Sequence, residues 1–180
     1  MLKFIKNILQ LMISPDNGWD DIKNGGDVSL AFKGMSWTII VSALSCMLQL
    51  FYSDGITFSG QLQYAIVVIV AYWSTFYISE FALSVWLPRI NDGIFDPERF
   101  KLLTCYAVSL LSLQQFLSGL LPLRFSILDL WPLYIMVIIW RAMKMLEIDV
   151  AKTERYLIIT ALSYILPSQL LMWIFNNYVL

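Results

Sequence analysis

The sequence predicts an all-α membrane protein, a bundle of five transmembrane helices preceded by short amphipathic interfacial helices. Two observations carry that prediction. Five apolar stretches, at about 30–51, 62–87, 102–121, 126–146 and 156–175, dominate a chain of 180 residues that is 59% hydrophobic and 14% charged, against roughly half and a quarter in soluble domains. The basic residues, moreover, are confined to alternate connections. Lys3, Lys6, Lys23 and Lys33 precede the first stretch, Arg89, Arg99 and Lys101 follow the second, and Arg141, Lys144, Lys152 and Arg155 lie between the fourth and fifth. Only Arg124 falls elsewhere. The positive-inside rule makes the basic side cytoplasmic, which puts the amino terminus inside and the carboxyl terminus outside.

Residues 1–29 form the amino-terminal region and 30–180 the membrane domain. Leu2, Ile5, Leu9 and Met12 recur at helical spacing with Lys3, Lys6, Asn7 and Gln10 toward the other side, the pattern of a helix lying on the inner membrane surface. Its apolar run is too broken, and lacks the small-residue cleavage site, for a signal peptide. Ser14 and Pro15 supply a cap followed by proline at the first helical position, and Gly25 and Gly26 end the short helix they begin. Trp19 and Ile22 share one face of it, placed either to dip into the headgroup layer or to dock on the bundle.

The first span runs into a turn, Ser53 to Gly60, with one acidic and no basic residue, as an outer turn should. The second is longer than the bilayer requires and ends at Pro88, so tilt or projection into the cytoplasm is expected. The third stops at Pro122. The fourth is interrupted by Asp129 and Pro132 at one end and by Arg141 and Lys144 at the other. Charge bias makes it a span nonetheless, because otherwise its basic residues and Lys152 and Arg155 would be stranded outside. The fifth carries Pro167 at its middle, a place for a kink. Trp86 and Trp140 fall near inner ends and Trp131 and Trp173 near outer ones, as interfacial anchors do.

The chain has no histidine, which removes Ser-His and Cys-His nucleophile pairs and histidine-ligated metals together. There is no phosphate-binding loop, dinucleotide fingerprint or nucleophile elbow. These absences predict a protein that is not an enzyme and that uses no cofactor or metal. Cys46 and Cys105 sit within spans as small packing residues. Asp16, Asp20, Asp21 and Asp27 lack the calcium-loop spacing and read as solvated helix ends. The net charge of −1 carries no nucleic-acid footprint.

Glu80 is the one ionisable residue well inside a span, about 10 Å from its cytoplasmic end at about 1.5 Å per residue. Such a carboxyl costs roughly 2.5–3.5 kcal/mol on insertion scales and should face the bundle interior and find a partner or a proton. Trp73, Tyr77 and Ser84 share its face, and Arg141 and Lys101 are the candidate counter-ions. An interhelical tie between the second and fourth spans through Glu80 and Arg141 is the leading reading, with a proton or ion site as the alternative. Gly34, Thr38, Ser42, Ser45 and Gln49 on the first span, and Ser112, Gln115 and Gly119 on the third, form stripes suited to close helix packing.

Taken in order, Ser14-Pro15, Trp19 and Ile22 ahead of the first span, the second inner loop with Tyr106, and the stretch from Leu133 to Glu154 closing on Ala151-Lys152 resemble the Yip family, five-span Ypt/Rab-interacting membrane proteins. The resemblance covers nearly the whole chain. It departs at Asn91-Asp92-Gly93, where a Gly-Gly pair is common, and in the missing proline after Tyr106. Eukaryotic members carry a long cytosolic amino-terminal region and are associated with Rab GTPases and vesicle traffic, whereas about thirty residues here look like the prokaryotic branch. The resemblance implies a multi-pass inner-membrane scaffold, trafficking-like adaptor or membrane organiser. Its partners would be the lipid bilayer, a membrane or cytoplasmic protein, and a second copy of itself. A small transporter or channel for an ion, proton or lipid, using Glu80, is the competing expectation. Pro15, Trp19, Ile22, Glu80, Lys101 and Arg141 are the candidate interaction or structural residues.

Overall fold

A computed structural model describes residues 1–52, 55, 57–90, 96–120 and 130–178. The chain is all-α, with no strand among the described residues. Among the described residues eight α-helices follow in order: α1 Leu2–Ile13, α2 Pro15–Gly25, α3 Val28–Cys46, α4 Phe58–Ile90, α5 Pro97–Leu120, α6 Trp131–Arg141, α7 Met143–Leu146 and α8 Thr153–Tyr178. Four segments among the described residues are long and apolar enough to cross a membrane: Val28–Phe51, which extends α3 through a 3-10 turn, then Phe58–Ile90, Pro97–Leu120 and Val150–Phe175. The spans expected at 30–51, 62–87, 102–121 and 156–175 fall within or nearly within these bounds. At 33 residues, α4 is about 50 Å long, far beyond the roughly 30 Å hydrocarbon core. Pro88 does not end it, because the helix continues to Ile90.

The remaining expected span, 126–146, has a different form. Its described part is α6, 11 residues or about 16 Å, roughly half the core thickness, followed by the single turn α7. Trp131, at the start of α6, donates its Nε1–H to the Leu110 carbonyl at 2.8 Å, and Leu110 lies near the middle of α5. Trp131, expected as an outer interfacial anchor, thus ties the start of α6 to the middle of α5. Pro122, Arg124, Asp129 and Asn91-Asp92-Gly93 lie outside the described residues.

The bundle is built around α5, in which every residue from Leu102 to Ser112 is buried. The small-residue stripes explain how α3 gets so close to it. Ser42 donates to the Ser112 carbonyl at 2.7 Å, and a Cβ on Gly119 would come within 2.7 Å of the Ser45 carbonyl carbon, so only glycine fits at that crossing.

Where proline or a helix end frees a carbonyl, a neighbouring helix supplies the donor, as an apolar surrounding requires. Pro167 cannot bond back to Ser163, and the Ser79 hydroxyl of α4 donates to that Ser163 carbonyl instead. At the end of α6, Ala142 N–H bonds to Ile139 at 3.0 Å instead of continuing the ladder to Ile138. The Ile138 carbonyl is then taken by Trp19 Nε1 at 2.7 Å, and the Ile139 carbonyl also accepts from the Tyr156 hydroxyl at 2.9 Å.

Candidate functional site

The amino-terminal helices are docked into the bundle. Sequence periodicity pointed to Leu2, Ile5, Leu9 and Met12 as the apolar face of α1, yet the buried residues are Phe4, Asn7, Ile8 and Leu11, while Leu2 is 86% exposed. The helix is apolar on two sides. One packs on protein, and the other, with Leu2, Ile5 and Leu9, is left exposed. Phe4 stacks on the Tyr106 ring at 5.1 Å and fills the space over Gly34, where a Cβ would fall 2.4 Å from the ring. Asn7, read from sequence as part of the polar side, is buried and donates to the Tyr106 hydroxyl at 2.9 Å.

Trp19 meets Tyr106 edge-on at 6.1 Å, so one tyrosine of the central helix is gripped by three residues of α1 and α2. Of the two alternatives for Trp19 and Ile22, docking is the observed one: they are 1% and 0% exposed. Pro15 begins α2 as expected, half-buried. Ser14 does not cap it through its hydroxyl; that oxygen accepts from Asn17 Nδ2 at 2.9 Å. Asp27, one of the acidic cluster, caps α3 by accepting from Ser29 and Leu30 N–H. No grouping that could hold a metal occurs among the described residues.

Ion pairs fasten both ends of α2. Near its start, Asp16 takes Lys144 at 2.8 Å and Arg141 at 3.4 Å. Near its end, Lys23 reaches Glu147 at 3.0 Å, and Glu147 also takes Arg99 at 2.9 Å. Glu147 stands at φ +57°, the left-handed position after a helix that glycine usually fills. Ile148 N–H returns to Met143 and Glu147 N–H to Lys144, which completes a Schellman turn. The turn aims the Glu147 carboxylate at α2 and α5. The hydrogen bond from Arg99, and after it that from Lys23, hold this carboxyl down at about 2. The Lys144 hydrogen bond likewise lowers Asp16.

The expected tie between Glu80 and Arg141 is not formed. Arg141 faces α2, pairing with Asp16 and lying 4.8 Å over the Trp140 ring. Glu80 is instead 3.8 Å from Lys101 of α5, the other counter-ion considered, and Lys101 also lies 5.9 Å over Phe32. Trp73 and Tyr77 belong to the aromatic cluster beside it, stacked at 5.9 Å. A cavity of about 160 Å³, lined by Glu80, Ser84, Pro97, Phe100, Lys101 and Thr104, reaches Glu80 from the end of the bundle where α5 begins.

Phe4, Asn7, Asp16 and Glu147 were not among the residues selected from sequence. Phe4, Ile8 and Leu11 have helical spacing as good as the set that was chosen, and the aromatic ring was the available signal. Nothing local marks Glu147 as a left-handed residue. Comparison with protein-family models, curated proteins and solved structures finds no match for this chain.

Proposed function

We propose that this chain is a five-crossing inner-membrane protein of Yip type that acts without catalysis, as an adaptor or membrane organiser presenting its cytoplasmic end to a protein partner. The observation that carries the reading is the docking of α2. Trp19 is buried against α5 and α6, Ile22 is fully buried, and the pairs through Asp16 and Glu147 join residues 14–26 to residues 141–148. With Arg99 of α5 also on Glu147, three separate stretches of sequence thereby form one platform. Its outward side carries exposed Asp20, Asp21 and Val150.

The same pairs support the orientation and the fifth crossing. They bring Asp16, Lys23, Arg99, Arg141 and Lys144 to one end of the bundle. Because α5 runs away from that end, the chain between Leu120 and Arg141 has to return to it. Photo-crosslinkers at Asp21 and Val150 in intact cells should give the same partner adduct, and Trp19→Ala should abolish both adducts while the chain still inserts. Adducts that persist unchanged in Trp19→Ala count against the platform.

One observation favours the second reading, transport of a proton or ion: the cavity that reaches Glu80 and Lys101. Liposome flux abolished by Glu80→Gln would support it, and the absence of flux in the intact protein would remove it.

A further inference from the structure

At the opposite end of the bundle from the platform, α4, α5 and α8 border an open cavity of about 330 Å³, lined by Tyr64, Tyr72, Gln114, Gln115, Gln169 and Trp173 among others. Its volume falls at the lower end of small-ligand sites, about 300–1,000 Å³. Most of a membrane bundle's crevices are apolar. The groove of about 390 Å³ between α4 and α8, walled by Ile78, Ala82, Trp86, Leu162 and Leu166, is of the kind an acyl chain covers. The cavity at the far end is different in kind, since amides and phenols make up most of its wall.

Gln115 is committed: its Nε2 donates to the Tyr64 hydroxyl at 3.0 Å. Gln114 and Gln169 make no hydrogen bond to any described residue. Gln114 is half-buried and Gln169 exposed on the cavity wall, and each amide carries two N–H donors and a carbonyl acceptor that a ligand can meet. One turn from Tyr64 along α4, Gln61 leaves a buried Oε1 without a partner. Hydrogen-bonding capacity at this end of the bundle therefore exceeds what the described residues satisfy. Among those residues no carboxylate, ammonium or guanidinium lines the cavity, so a charged ligand would enter without a counter-charge. Trp173 and the two tyrosines offer flat faces with polar edges, suited to the alternating C–H and O–H surfaces of a polyol.

We infer that this cavity is a binding site for a neutral, hydroxyl-rich group of carbohydrate or glycerol type. The group arrives from the outer side either as a free solute or as the headgroup of an outer-leaflet lipid. The inference depends on the orientation proposed above and is independent of the adaptor reading.

Met172 also lines the cavity, whereas the native Cys46 and Cys105 are buried. In right-side-out vesicles, Met172→Cys should react with a membrane-impermeant maleimide added outside, above the wild-type background. Methyl glucoside should slow that reaction saturably, by about fourfold at three times its half-saturating concentration. Protection by methyl glucoside identifies a free solute. Protection only by octyl glucoside, held below its micelle concentration, identifies a lipid-borne headgroup. Gln114→Leu and Gln169→Leu, singly and together in the Met172→Cys background, should keep the labelling and lose the protection. Absence of labelling from outside, labelling that neither glucoside slows, or protection undiminished in the double leucine variant overturns the assignment.

Discussion

Replacing Trp19 with alanine should release α2 from the bundle without preventing membrane insertion. The indole is 1% exposed, donates to the Ile138 carbonyl at 2.7 Å and meets Tyr106 edge-on. Truncating a buried aromatic to alanine costs about 3–5 kcal/mol, and at about 1.4 kcal/mol per decade that is roughly a hundred- to several-thousand-fold in the ratio of docked to released helix. Trp19→Phe keeps most of the ring and loses the hydrogen bond, so it should cost only about 1–3 kcal/mol, because the Ile138 carbonyl is left unpaired. Hydrogen exchange over residues 15–25 in detergent or nanodiscs measures both variants against wild type. The expected order is Ala far above Phe, and Phe above wild type, with exchange in the middle of α5 unchanged. If exchange in α2 rises by less than about threefold in Trp19→Ala, under 1 kcal/mol, the docked helix is not held by this contact.

Other consequences are equally specific. Glu147 and Asp16 are both depressed carboxyls, so their contribution to docking is complete above the ordinary carboxylate range and is lost as pH falls. For Glu147 the window runs from its ordinary 4.5 down to about 2. A spin label at Asp20 should become mobile across that window in wild type, and Glu147→Gln should remove most of the pH dependence. A double-mutant cycle on Glu80 and Lys101 should give a coupling no larger than about 1 kcal/mol, as suits a half-exposed pair, and Glu80 with Arg141 should couple by less than about 0.5 kcal/mol. Gly119→Val should destabilise the α3–α5 crossing by about 1–3 kcal/mol through overpacking, read as a lowered thermal midpoint. Gly34→Leu should expel Phe4 and expose α1 to protease while the spans stay folded.

The four helices of membrane-crossing length were legible because a helix that must satisfy its own backbone in lipid carries a long apolar record, and α3, α4, α5 and α8 each have one. The segment with α6 was harder to read. Its charges led to the expectation of a span, but the Trp131 bond to Leu110 and the break at Ala142 are tertiary facts with no local signature. The roles of Trp19 and Ile22 followed from their spacing after Ser14-Pro15, although sequence left open whether they met lipid or protein. Glu80 was found because a carboxyl inside a span is conspicuous. Its partner was misjudged because Lys101 and Arg141 lie at similar depth, and only packing shows that Arg141 faces α2. Asn7 was placed on the polar side because an amide in an amphipathic helix looks solvated; the buried Tyr106 hydroxyl supplied the reason for it to turn inward. In Glu147, a backbone angle and two distant cations define the role together, and none of the three is visible in neighbouring residues.

The most direct test of the docked platform uses a Lys23→Cys, Glu147→Cys pair and a short bis-maleimide, added to inverted and to right-side-out membrane vesicles. The two native side chains lie 3.0 Å apart. The structure and the proposed orientation require an intramolecular crosslink that forms in the inverted vesicles and disappears in Trp19→Ala. A pair that stays unlinked in inverted vesicles while both cysteines react singly, or that links only from the outer side, would contradict the account.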